Sequence, residues 1–69
     1  MAYDYLLQVM KDRGIKKAHL AHDCGIAESV IYNLFAGRQY LYPKYRKAIS
    51  DYIGIQPEIL FEEEEKVNG

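Results

Sequence analysis

Lys16-Lys17-Ala18-His19-Leu20-Ala21-His22-Asp23-Cys24-Gly25-Ile26-Ala27-Glu28-Ser29-Val30-Ile31-Tyr32-Asn33-Leu34-Phe35-Ala36-Gly37 is the stretch whose reading decides the fold. Leu20, Ala21 and Cys24 stand at i, i+1 and i+4, and Ile31, Leu34 and Phe35 at i, i+3 and i+4, so each half carries one apolar stripe at helical period. Gly25 falls between the stripes, where a residue without Cβ takes the positive φ that commonly closes a helix. The spacing therefore predicts two short amphipathic helices joined by a tight turn, a helix-turn-helix.

Working outward from that pair, the flanking sequence predicts three more helices and no strand. Ala2 to Arg13 carries Leu6, Val9, Met10 and Tyr3 on an inward face, with Gly14 ending the helix and Ile15 closing the turn into the core. After Gly37, Pro43 suits the first turn of a fourth helix running to Ile53, with Ala48, Ile49, Tyr52 and Ile53 inward and Gly54 at its end. Gln56-Pro57-Glu58 opens a fifth helix that continues through Ile59, Leu60 and Phe61 toward the glutamates at 62–65. The expected fold is all-α and compact, with helices at about 2–13, 17–24, 28–36, 43–53 and 57–64. Residues 1–61 form the domain and 62–69 a frayed, acidic tail; there is no internal repeat and no low-complexity linker.

At these residues the chain resembles the lambda-repressor-like, or Cro/repressor-type, DNA-binding domains of phages, plasmids and bacteria. Leu20-Ala21, Gly25-Ile26, Ser29, Ile31, Leu34, Gly37, Ile53-Gly54-Ile55 and Ile59-Leu60 carry the likeness, from Leu6 to Phe61 without insertion or deletion. The resemblance implies a five-helix domain whose helix 28–36 enters the major groove of operator DNA. It places base-reading residues at Glu28, Ser29, Tyr32 and Asn33, and backbone contacts at Lys17 and in the loop after Gly37.

Three departures from the family pattern have physical consequences. Lys17 stands where the family commonly has glutamine, so a polar clamp becomes a point charge. Ala27 occupies the N-cap of the reading helix, where serine or threonine is usual, and an alanine cap forfeits about 0.5–2 kcal/mol. Met10 and Phe35 replace an arginine and a glutamate that form a buried ion pair in the family. Losing both charges together avoids stranding one of them, at a cost of about 3–5 kcal/mol, and leads us to expect Met10 against the Phe35 ring.

Composition bounds the function classes. Sixty-nine residues allow one domain that buries only roughly 60% of its surface, and the single cysteine cannot form an internal disulfide. No apolar run is long enough for a membrane span or secretory signal, and the resemblance implies a bacterial or phage-infected cytoplasm as the setting. Residues 1–61 hold eight Lys/Arg against six Asp/Glu, a net +2, whereas 62–69 sum to −3. That is a weak field for a nucleic-acid binder. No nucleophile stands beside a base and no glycine loop cradles phosphate, so nothing points to an enzyme or to a cofactor.

The candidate contacts follow from side-chain chemistry placed on that frame. Asn33 has the donor and acceptor for adenine, Ser29 can serve either kind of base, Glu28 can accept from the cytosine amino group, and Tyr32 can reach a thymine methyl or a phosphate. Lys16, Lys17, Arg38, Lys44 and Arg46 are the candidate phosphate contacts. Tyr40, Tyr42, Ile59, Leu60 and Phe61 are where a homodimer or a partner repressor would meet the domain. His19, His22 and Asp23 share a helical face but have no second ligand cluster, and are expected as solvated residues rather than a metal site. Cys24 is expected to be a small buried hydrophobe. Two functions compete: a transcriptional regulator binding operator DNA as a dimer, and a protein-interaction module, an antirepressor or modulator with little DNA affinity. Glu28, the weak cap and the acidic tail favour the second; the intact helix-turn-helix register and Lys16, Lys17 and Arg38 favour the first.

Overall fold

The computed structural model describes residues 2–61, and within them the chain forms five helices and no strand. These are α1 (Asp4–Arg13), α2 (Lys17–Cys24), α3 (Glu28–Phe35), α4 (Pro43–Ile53) and α5 (Pro57–Leu60). The expected continuation of the last helix to residue 64, and the acidic tail at 62–69, lie outside the described residues. No helix among the described residues is long and apolar enough to cross a membrane.

Gly25 closes α2 as its sequence position requires. It takes φ 69° and ψ 33°, its N–H donates to the His22 carbonyl at 3.2 Å, and the Ile26 N–H reaches back to the Ala21 carbonyl at 2.9 Å. Those two bonds, with Ile26 half-buried beside Ala21, make the left-handed closing turn that satisfies the last carbonyls of a helix. The same pattern recurs at Gly14, where the following Ile15 N–H bonds the Met10 carbonyl at 2.8 Å. Each turn thus drops an isoleucine back toward the core.

The core is one cluster drawn from every helix, with Leu6, Leu20, Ile31, Leu34, Phe35, Ile49 and Leu60 as its most completely buried side chains. Met10 and Phe35 both belong to it, so both positions are apolar and inside. Phe35 also receives the Tyr3 ring edge-on at 6.4 Å, and Tyr3 in turn meets Phe61 at 5.3 Å. Arg13 joins the far side: its Nη1 donates to the Ile53 carbonyl at 2.7 Å and holds the end of α1 against the end of α4.

Three expectations are corrected. The first helix starts at Asp4 rather than Ala2, because Tyr3 adopts φ 60° and the Ala2 N–H is spent on the Phe35 carbonyl at 3.1 Å. The third ends at Phe35, Ala36 serving as its cap. In α4 the buried stripe is Ile49, Ser50 and Ile53, at i, i+1 and i+4; Ala48 is half-buried and Tyr52 is exposed, turned off that stripe toward α2. The Ser50 hydroxyl is consequently buried with no hydrogen-bond partner among the described residues, a cost of about 1–3 kcal/mol.

Two substitutions test this account by urea denaturation. Ser50→Ala removes the unpartnered hydroxyl and raises helix propensity, so stability increases by about 1 kcal/mol. Gly25→Ala meets no atom within 4 Å of the new Cβ, yet it lowers stability by about 1–2 kcal/mol because only the left-handed backbone opposes it.

Candidate nucleic-acid interface

The outward face of α3 presents Glu28, Ser29 and Tyr32, all exposed, and Asn33, half-buried. They share that face because Ile31, Leu34 and Phe35 take the opposite one into the core. Ala27, the N-cap of α3, is extended and gives no side-chain cap, so Glu28 in the first turn supplies the only acidic partner for the helix dipole there.

Asn33 organises the loop that follows. Its carbonyl accepts from the Arg38 N–H at 2.9 Å and the Gln39 N–H at 3.2 Å, and its Oδ1 accepts from Arg38 Nη2 at 3.3 Å. The guanidinium is thereby drawn to the C-terminal half of the exposed α3 face. A contact to adenine by Asn33 would use the oxygen lone pair that Arg38 leaves free together with the amide donors.

Besides Arg38 at Asn33, the other four candidate phosphate cations divide into three settings. Lys16 is the extended, exposed N-cap of α2, and Lys17 opens that helix with its Nζ 5.5 Å from the Tyr32 ring centre and 5.4 Å from that of Phe35. Lys44 lies over the Tyr45 ring at 5.2 Å and lines a shallow cleft with Ala27 and Val30, so it flanks the N-terminal side of α3. Arg46 instead points to α5, with its Nη2 3.4 Å from the Glu58 carboxylate. The fold thus brings Lys17 and Arg38 to one end of the α3 face and Lys44 to the other, and directs Arg46 to an acidic partner.

Of the residues expected to meet a second protein, Leu60 and Phe61 are 0% and 2% exposed and belong to the core. Tyr40, Tyr42 and Ile59 are 68%, 49% and 50% exposed. The two tyrosines contact each other edge-on at 4.8 Å, and Tyr42 continues to Tyr45 at 6.1 Å.

Asp23 has a role that the sequence did not reveal. Tyr52 donates its hydroxyl to Asp23 Oδ2 at 2.7 Å, and His22 Nδ1 lies 3.3 Å from Oδ1. The Tyr52 hydrogen bond, then His22, hold the Asp23 carboxyl below its ordinary range, while the same bond raises the Tyr52 phenol. This contact links the end of α2 to α4, which explains why Tyr52 leaves the core. Among the described residues no three His, Cys, Asp or Glu side chains are placed to hold a metal. Cys24 is half-buried rather than fully so, its thiol 3.8 Å from the Ala48 carbonyl, and burial raises its pKa. That disfavours the reactive thiolate.

Two short helices closed by a left-handed glycine turn, with the second exposing a polar face flanked by cations, define a helix-turn-helix domain of the DNA-binding class. Residues 5–66 match the family model of the Cro/C1-type HTH DNA-binding domain, and the chain belongs to that family. Neither the curated proteins nor the solved structures compared with the chain give a match.

The Asp23–Tyr52 contact predicts a pH signature. A carboxyl whose folded pKa is depressed stabilises above its unfolded value and loses that contribution as pH falls; a phenol whose folded pKa is raised stabilises below its unfolded value and loses it as pH climbs. Tyr52→Phe is therefore less stable than the parent between about pH 4 and pH 10, and the two denaturation curves converge outside that window. Parallel curves across the whole range would remove the contact from the account.

Proposed function

We propose that this Cro/C1-type domain is a transcriptional regulator that binds operator DNA sequence-specifically, with α3 in the major groove. The observation that carries the reading is the placement of Lys17, Arg38 and Lys44 around an exposed α3 face in a chain of net charge −1. Phosphate contacts fix register without carrying sequence information, and base-edge contacts supply it. In this reading Lys16, Lys17, Arg38 and Lys44 grip the backbone. Glu28, Ser29, Tyr32 and Asn33 face the bases, and Arg46, engaged with Glu58, contributes less.

A homodimer spanning two half-sites about 34 Å apart would supply the affinity that one small domain lacks. With Leu60 and Phe61 inside the core, its surface would be built from Tyr40, Tyr42 and Ile59. The setting proposed is the cytoplasm of a bacterial or phage-infected cell. The exposed Tyr40–Tyr42 pair also favours a second reading, in which the domain modulates a partner repressor through that surface and has little DNA affinity of its own.

A salt titration of binding to random and selected duplexes separates the two. The regulator loses affinity steeply with salt, about 0.9 log units per log unit of salt for each phosphate neutralised. Absence of DNA binding at low salt, with co-elution with a repressor, supports the modulator instead. Within the first reading, Asn33→Ala relaxes preference at one base pair, a discrimination of about 1–3 kcal/mol, whereas Lys16→Ala weakens all sequences alike and makes the salt slope shallower by about one phosphate. A uniform loss for Asn33→Ala would mean that α3 is docked wrongly.

A further inference from the structure

The placement of Lys17 does not fit that of a free phosphate clamp. Its Nζ is 5.5 Å from the Tyr32 ring centre and 5.4 Å from the Phe35 ring centre, two rings one helical turn apart on α3. Phe35 is 1% exposed and fixed in the core, so it anchors the ammonium from below; Tyr32 is 47% exposed, and its ring is the movable partner. A cation between two aromatic faces is drawn to the negative potential of both. With the backbone of α2 and α3 set by the Gly25 turn, the ammonium favours the Tyr32 rotamer that brings the ring over it.

We infer that Lys17 is a positioning residue for Tyr32, holding the phenol ring in one orientation on the exposed α3 face so that a base-pair preference depends on a lysine that touches no base. This deepens the proposed DNA reading and rests on it. An ordinary phosphate contact contributes equally to every sequence. Lys17, by contrast, contributes to affinity through its charge and to discrimination through the ring it orients. Arginine retains the cation and stacks on aromatic faces at least as well, whereas methionine keeps length and apolar contact and loses the charge. Tyr32→Phe keeps the ring and its attraction to the ammonium; Tyr32→Leu removes both.

The test uses the full chain in two arms. In the free protein, the Tyr32 ring resonances move in Lys17→Met and stay near the parent positions in Lys17→Arg, while resonances of the buried Leu6 and Ile49 methyls are unchanged in both. In binding to a randomised duplex library, Lys17→Met lowers discrimination at a single base pair by about two- to fivefold, beyond its uniform loss of affinity. Lys17→Arg restores that discrimination, and in a Tyr32→Leu background Lys17→Met has only the uniform effect. A strictly uniform loss for Lys17→Met, with unmoved Tyr32 resonances, overturns the coupling and returns Lys17 to a simple phosphate contact. Discrimination lost equally in Lys17→Arg overturns it as well, since the cation is still there. A parent chain that binds no duplex at low salt overturns the groove reading and the inference together, and is recognised as such because the parent itself fails.

Discussion

The structure depends on an apolar junction at Phe35. This residue ends α3, its ring lies in the core, its carbonyl accepts the Ala2 N–H, and its ring meets both Tyr3 and the Lys17 ammonium. Through Tyr3 the junction continues to Phe61 beyond α5. The α3 helix is therefore located against the start of the chain, the start of α2 and the end of the domain by one side chain. A buried ion pair at the same place would need good geometry merely to offset its desolvation. Hydrophobic burial is far less sensitive to ionic strength than exchange of ions at phosphates. The orientation of α3 is thus held by a force that persists over the salt range in which contacts to a nucleic acid would weaken.

The charge balance makes sense only once it is distributed over that frame. A net charge of −1 is unpromising for a polyanion partner, and the sum over residues 1–61 improves it only to +2. Several charges are spent locally, however. Arg46 goes to Glu58 and Lys47 to Asp51. Exposed pairs of this kind contribute little to stability, about 0–1 kcal/mol each. Their effect on the field is larger, because they neutralise the α4 and α5 side and leave Lys16, Lys17, Arg38 and Lys44 as the cations around α3. Local pairing, more than total charge, decides which face is positive.

The helix-turn-helix was legible because its signals reinforce one another: apolar period on both sides of Gly25, and a glycine where the backbone must go left-handed. The same agreement made α4 and its Pro43 start readable. Tyr52 departs from its sequence pattern because an aromatic next to Ile53 reads as core, and only the approach of Asp23 from α2, 29 residues away, shows why its ring stays outside. Tyr3 reads as helical in the sequence because a left-handed tyrosine has no local signature; its conformation goes with its contacts to Phe35 and Phe61. Leu60 and Phe61 do not declare themselves as core in the sequence, because a short helix offers too few residues to show which side is buried. At the candidate site, residue types were readable but partnerships were not. That Arg38 folds back to Asn33 depends on the turn after α3, and that Arg46 turns to Glu58 and Lys17 sits on two rings is set by tertiary geometry.

The shortness of the two central helices ties recognition to folding. Helices α2 and α3 have eight residues each and no side-chain cap at their N-termini. An isolated helix needs roughly 12–15 residues to persist in water, so neither would hold its shape alone. Their helicity comes from Leu20, Ala21, Ile31, Leu34 and Phe35 packing into the shared core, and the polar face of α3 exists only while that core does. The surface is therefore not a module that can loosen while the rest stays folded. A ligand gripping it stabilises the whole domain by mass action, and a core substitution that lowers stability lowers the fraction of chains presenting the face. Binding and packing therefore draw on the same few residues: Phe35, which closes the core, also lies under the Lys17 ammonium.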